Sequence, residues 1–112
     1  MEKLTKKTFY ERVFNLDSGK ISIDKPVAVK FYYDNCSPCE TMAPIFEFLE
    51  KELSEFDFFS IKGGSDTKIL EKFDIEEMPS FLLFKPNGEF KVISGQMPKG
   101  ILKRSFESFI EE

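Results

Sequence analysis

Residues 26–33, Pro26-Val27-Ala28-Val29-Lys30-Phe31-Tyr32-Tyr33, form a near-continuous apolar run that leads within three residues to Cys36-Ser37-Pro38-Cys39. No sequence feature restricts the fold more. A near-continuous apolar run of this length suits a central strand buried on both faces. From Ser37 onward, Met42, Ile45, Phe46, Leu49 and Leu53 recur at three- and four-residue steps, the stripe of an amphipathic helix. The two cysteines therefore fall where a strand hands over to a helix. Pro44 lies inside that helix, where its missing N–H predicts a kink.

The rest of the chain alternates in the same manner. Residues 3–7 carry a weak signal for a short edge strand. Thr8-Phe9-Tyr10-Glu11 reads as a capping box opening a helix that carries Val13, Phe14 and Leu16 and ends at Asp17-Ser18-Gly19. Residues 56–61 predict a second strand, broken by Gly63-Gly64, and residues 67–73 a short helix. Residues 81–84 predict a third core strand. Pro86-Asn87-Gly88 signals a tight turn, so residues 89–94 return as the other arm of a hairpin. Gly95 interrupts, and residues 98–111 close with a helix striped by Leu102, Phe106, Phe109 and Ile110. Parallel crossovers followed by an antiparallel edge imply an α/β fold: a mixed sheet of four or five strands flanked by about four helices. The cysteines lie at the carboxyl end of a central strand, where open α/β sheets place their sites.

Composition narrows the function. A chain of 112 residues is near the common size of one domain, and we expect a single domain over residues 1–112. Sixteen Lys and Arg against 20 Asp and Glu give a net charge of −4, which argues against nucleic-acid binding. The charges are interspersed, as on a solvated surface. No stretch approaches a membrane span or a secretory signal, so the expected location is cytoplasmic. Fourteen Phe and no Trp predict an aromatic core. There is no histidine, which removes His bases, Cys-His catalysis and His-based zinc sites together. Two thiolates are too few for one zinc, so only four cysteines shared across a dimer would hold a metal. We expect no cofactor, no metal and a monomer.

The remaining chemistry is thiol–disulfide exchange. The thiolate is the reactive form of cysteine, and a helix N-terminus favours it by about 0.3–2 kcal/mol. Cys36, just before the first turn, is expected to be the exposed, more acidic nucleophile. Cys39, one turn inside, is the expected resolving thiol that attacks the mixed disulfide. Pro38 suits an early helix position, where its missing N–H would be unpaired anyway. Ser37 offers a local hydroxyl.

The chain resembles the thioredoxin family along nearly all its length. The resemblance rests on the strand through residues 27–33, the Cys36-Ser37-Pro38-Cys39 box, Pro44, Met78-Pro79 before a strand, the Lys85-Pro86-Asn87-Gly88 hairpin, and Gly95 with Lys99-Gly100 and Leu102. It implies that Pro79 is a cis-proline packed beside the dithiol and that the Met78 backbone bonds a substrate segment as an added strand. It implies that Gly95 lets a substrate backbone approach. Read from residues alone, Pro79 is an ordinary strand-start proline and Gly95 a bulge. Met78 and Met97 would form an adaptable apolar rim or simply fill gaps. Tyr32 and Tyr33 would line the site or, as aromatic residues in a strand usually do, sit in the core.

Four positions depart from the family pattern. Asn35 stands where the family usually has Trp, and Ser37 where it usually has Gly. Lys30 replaces a buried Asp that helps move protons at the resolving cysteine. Lys30 would stabilise a thiolate, or sit desolvated with a lowered pKa, or snorkel to the surface and touch no sulfur. Glu40 follows the second cysteine, where Lys is frequent. At about 7 Å and water-like screening it costs a thiolate about 0.6 kcal/mol, which offsets the helix contribution without reversing it.

The candidate catalytic residues are thus Cys36, Cys39, Pro38, Pro79 and Lys30. The candidate substrate-binding residues are Asn35, Ser37, Met78, Gly95 and Met97. The resemblance implies a protein-disulfide reductase active in cell redox homeostasis and electron transport. Its partners would be protein disulfide substrates and, if the family partner applies, a thioredoxin reductase. The alternative is a specialised binding or regulatory module on the same fold with little general reductase activity, for which the missing Asp and Trp speak.

Overall fold

The computed structural model describes residues 1–112. Its five strands are β1 (Glu2–Leu4), β2 (Val27–Tyr32), β3 (Asp57–Lys62), β4 (Ser80–Phe84) and β5 (Phe90–Ser94). Its four helices are α1 (Lys6–Arg12), α2 (Ser37–Glu52), α3 (Thr67–Lys72) and α4 (Lys99–Glu111), and a 3-10 turn spans Gly63–Ser65. The strands make one sheet in the order β1-β3-β2-β4-β5. β1 and β2 run parallel to β3, while β4 runs antiparallel to β2 and to β5. This is the α/β fold of the expected class, with β2 at its centre.

The alternation along β2 explains both layers. Val27, Val29 and Phe31 face one side and join Phe9, Val13, Ile69 and Phe73 from the α1 and α3 region in one core cluster. Ala28 faces the other side and joins Met42, Phe46 and Leu49 of α2 with Leu102, Phe106 and Phe109 of α4 in a second. A central strand clothed on both faces is apolar along nearly its whole length, which the run at residues 26–33 encodes with Lys30 as its one charged member. Each fully buried Phe or Leu contributes about 1.5–3 kcal/mol. The second cluster is strongly aromatic: Phe46, Phe56, Phe58, Phe81 and Phe106 meet ring to ring at 5.0–6.4 Å.

The N-terminal segment departs from the sequence reading. The strand closes at Leu4, and Lys6 and Lys7 are helical. The N-cap is Thr5, not Thr8. The Thr8 amide donates to Thr5 Oγ1 at 3.2 Å, and the Thr5 amide donates to Thr8 Oγ1 at 2.8 Å. Thr8 thus fills the position that Glu or Gln takes in the usual capping box, and the Thr-x-x-Glu pattern was read one turn late. α1 is accordingly shorter: Val13 is its C-cap, and Phe14 pairs in an isolated bridge with Ile21.

Register fixes what gathers at the carboxyl end of β2. Tyr32 pairs with Lys62, Phe31 with Ser80, and Ser80 with Ser94. The segments that leave these residues, 33–36, 63–65, 78–79 and 95–97, therefore share one end of the sheet.

Candidate functional site

Cys36 and Cys39 are joined as a disulfide, with their Cα atoms 5.2 Å apart. Cys36 is the N-cap of α2, in extended backbone, and Ser37 and Pro38 form the first turn. The Cys39 amide donates to Cys36 Sγ at 3.3 Å, so one of the free donors of the helix start ends on sulfur. The two sulfurs differ in access. Cys36 is half-buried, whereas Cys39 is 5% exposed and belongs to the core. A half-buried cysteine whose sulfur receives a helix donor, tied to a nearly buried one a turn on, can open to one accessible and one shielded thiol.

The Met78-Pro79 peptide bond is cis, and Pro79 is buried. Its carbonyl accepts from the Gly95 amide at 2.9 Å, with Gly95 at φ +89°, a conformation that favours glycine. Ser80, fully buried, donates its hydroxyl to the Glu77 carbonyl at 2.6 Å and shares a 2.7 Å hydrogen bond with the Ser94 hydroxyl. These bonds tie the Met78-Pro79 segment to β5. Asn35 is exposed and takes a positive φ of 54° as the chain turns from β2 into α2. Asn tolerates that region better than most residues, and a bulky one there would be strained. Ser37 is exposed, and its carbonyl accepts from the Thr41 hydroxyl at 3.1 Å. Met78 packs half-buried against the α1/α3 cluster and Met97 against the α2/α4 cluster. Both therefore fill gaps at the core edge as well as flanking this end of the sheet.

Two features escape the sequence reading. Gly63 reads there only as a strand breaker. A Cβ on it would collide with the Met78 methyl and approach Tyr33 Cε1 to 2.7 Å, so its bareness lets those side chains close over the backbone. Of the two readings of Tyr33, at the site or in the core, the first holds: it is 48% exposed beside them because β2 ends at Tyr32. The second feature is the ion pair of Lys62 with Asp34, which fastens the loop after β2 to the end of β3. A signal for the Ser80 network was present: one serine inside an otherwise apolar strand.

Lys30 stands on the α2 side of β2, between Ser60 of β3 and Phe81 of β4 in register. Its amine lies 5.5 Å from the centre of the Tyr32 ring and 5.7 Å from that of Phe46. With Tyr32, Tyr33, Asp34, Asn35, Cys39, Glu40 and Ala43 it lines an open cleft of about 230 Å³. Burial lowers its pKa below the usual 10.5, and Glu47 opposes the fall. The amine thus neither sits sealed in the core nor escapes to free solvent.

The stability consequence has a definite sign. Where the folded pKa lies below 10.5, the unfolded chain binds more protons between the two values, so stability rises with pH across that window. The cost is complete below the folded pKa and gone above 10.5. Lys30→Met is therefore expected to melt roughly 1–4 °C above the parent chain at neutral pH, with the gap narrowing as pH climbs toward 10.5. Paired thermal scans measure it. A variant that melts lower at neutral pH would show that the ring contacts of the ammonium outweigh its desolvation.

No helix is long and apolar enough to cross a membrane. The thioredoxin family model matches residues 1–108. A thioredoxin of Borreliella burgdorferi is 27% identical, over 97% of this chain and 93% of that protein. Thioredoxin-1 of Saccharomyces cerevisiae is 31% identical, over 84% of this chain and 90% of its own length. The chloroplastic thioredoxin Y of Oryza sativa is 32% identical over 79% of this chain, which spans 53% of that longer protein. A mixed five-stranded sheet, a cysteine pair at disulfide distance on a helix N-terminus and a family match along almost the whole length converge: the chain belongs to the thioredoxin family and is a thiol–disulfide oxidoreductase with Cys36 and Cys39 as its pair.

Proposed function

We propose that this chain, as one domain over residues 1–112, reduces disulfides of protein substrates with Cys36 as nucleophile and Cys39 as resolving thiol. The observation that carries the assignment of roles is the unequal access of the two sulfurs. In the reduced state the Cys36 thiolate attacks one substrate sulfur. A mixed disulfide forms, and the other substrate sulfur leaves as a thiolate that takes up a proton. Cys39 then loses its proton and attacks Cys36 Sγ. The Cys36–Cys39 bond forms, the mixed disulfide breaks, and the second substrate thiol is released. Two electrons have passed from the pair to the substrate, and a thioredoxin reductase of the family type is the partner that would return them.

Pro38 fixes the first turn of α2, and Asn35 and Ser37 flank the accessible sulfur. The Met78 backbone, before the buried Pro79, offers the main-chain groups to which an extended substrate segment would add. Gly95 leaves that approach open, while Met78 and Met97 supply the apolar rim. The protein would act as a monomer in a reducing compartment, the cytoplasm by our reading. Several plant relatives carry the chloroplast in their names, so the family alone does not choose the compartment.

An insulin-type reduction assay, with dithiothreitol and separately with a thioredoxin reductase as electron donor, tests the reading. Turnover with either donor is the expected result. A folded protein that turns over with neither would be the binding module instead.

The rim has its own test. In Gly63→Ala the new methyl group meets the far ends of Met78 and Tyr33. These ends can swing aside, and the chain gains from a less flexible unfolded state. Stability is therefore expected to change by less than about 1 kcal/mol. The displaced side chains are expected to raise KM for a disulfide substrate about two- to fivefold with kcat unchanged. A fall in kcat with constant KM would mean that these side chains act on the sulfurs rather than on binding.

A further inference from the structure

Among the groups around the cleft, Lys30 alone combines a half-buried cationic side chain with a wall shared with Cys39. The strand sets its direction: Lys30 falls on the α2 side of β2, one alternation beyond the buried Ala28. The amine is held over the Tyr32 and Phe46 rings. It forms no ion pair or hydrogen bond with a carboxylate, although the other walls carry acidic groups. Asp34, the loop carboxylate that lines the cleft, is taken by Lys62. Cys39 lines the same cleft from the first turn of α2.

We propose that Lys30 is a positioning residue for the resolving step: its ammonium, in the cleft that Cys39 also lines, stabilises the Cys39 thiolate and so raises the fraction of chains able to close the disulfide. The proposal rests on the assignment of Cys39 as the resolving thiol. In the step concerned, the Cys39 S–H proton passes to water of the open cleft. The thiolate attacks Cys36 Sγ, the Cys36–Cys39 bond forms, and the substrate sulfur leaves with its electron pair and is protonated. No further oxidant or reductant enters. The ammonium remains charged throughout and acts only on the balance between Cys39 thiol and thiolate.

The groups that face Lys30 set how large the effect can be. From α2, Glu47 favours its charge and Glu40 lines the cleft. From β2 and its loop come Tyr32, Tyr33 and the paired Asp34. From β1, Lys3 brings a second ammonium to within 5.6 Å of the Tyr32 ring centre. Ser60 and Phe81, flanking Lys30 in the sheet, carry no charge. A single ammonium across a wet cleft, at screening between that of protein surface and water, is expected to change the thiolate fraction about three- to tenfold.

The experiment titrates Cys39 as the sole thiol, in full-length Cys36→Ser protein, by the ultraviolet absorbance of the thiolate. Lys30→Met in that background is expected to raise the midpoint by about 0.5–1 in pH, the three- to tenfold loss of thiolate just given. Lys30→Arg, which keeps the charge, is expected to restore it. A midpoint unmoved by Lys30→Met overturns the proposal, and so does an equal rise in Lys30→Met and Lys30→Arg, since packing rather than charge would then be responsible. The titration asks nothing of turnover. A chain that fails to reduce insulin still gives an answer here, and an active chain with an unmoved midpoint overturns this inference alone.

Discussion

Cys36→Ser is expected to reduce disulfide turnover to the uncatalysed background, whereas Cys39→Ser performs half a cycle and stops. Serine offers no thiolate at neutral pH, so with Cys36 replaced no accessible nucleophile remains. Cys39, the cysteine left, is 5% exposed and meets solvent only at the cleft beside α2. With Cys39 replaced, the accessible sulfur still attacks a substrate disulfide, and the helix donor at 3.3 Å is still one turn away. Only release of the second substrate thiol is lost. The intramolecular step owes its speed to proximity: well-oriented intramolecular partners reach effective concentrations of about 10⁵ M or more. A Cα separation of 5.2 Å shows that this backbone holds the two sulfurs in reach without rearrangement. An external thiol at millimolar levels falls short of that by many orders of magnitude. Cys39→Ser should therefore accumulate as a covalent adduct with its substrate, seen by mass spectrometry under non-reducing conditions and released by dithiothreitol. An adduct that forms in Cys36→Ser and not in Cys39→Ser would exchange the two roles. Turnover that survives Cys36→Ser would move the chemistry off this pair.

The contrast depends on burial, which the spacing of the cysteines could only suggest. Position relative to a helix start was legible, because an apolar strand run, a Cys-Ser-Pro-Cys box and a helical stripe occur in order. Which sulfur the core would cover followed from the same register, since Cys39 lies three residues before Met42 on the buried face of α2. The mixed sheet was legible from the crossovers and the hairpin, and the double-sided core from the nearly apolar run along β2, whereas the order of the strands was not. Other features were not. The start of α1 was missed by one turn, because Thr5 and Thr8 cap each other and a second threonine is indistinguishable by pattern from a helix-interior one. The closeness of Gly63 to Tyr33 and Met78 joins two loops far apart in sequence, and local periodicity carries no information on such pairs. Lys30 was legible as an oddity in an apolar strand, but its surroundings depend on how far the cleft beside α2 admits solvent. Sequence reading thus succeeds here where a pattern has one meaning within an element and fails where two local patterns coincide, as at Thr5 and Thr8, or where distant loops meet.

Phe46→Ala and Phe48→Ala, two positions apart on α2, should separate burial from aromatic content. Phe46 is fully buried, and its ring centre lies 5.0 Å from Phe58, 5.4 Å from Phe81 and 6.4 Å from Phe106. Truncation there removes the transfer free energy of the ring and leaves a cavity walled by three rigid aromatic residues that close in poorly. The expected loss is about 3–5 kcal/mol, a large part of the 5–15 kcal/mol typical of a whole domain. Phe48 points outward at 38% exposed, with the Lys99 amine 3.8 Å from its ring centre. Removing that ring forfeits a surface cation–π contact of about 0.5–1 kcal/mol and little else. Denaturant titration of the oxidised proteins measures both. The Phe46 variant should show a much lower midpoint with an unchanged slope, the sign of lost stability without a changed unfolded state. Phe46 also lies beneath the amine of Lys30 and seven residues, two turns, beyond Cys39 on α2. Its loss should therefore loosen α2 against the sheet and quicken alkylation of the reduced, otherwise sealed Cys39. A Phe46 variant as stable as the Phe48 variant would mean that the aromatic layer beneath α2 does not hold this helix on the sheet, and the sealing of Cys39 would need another cause.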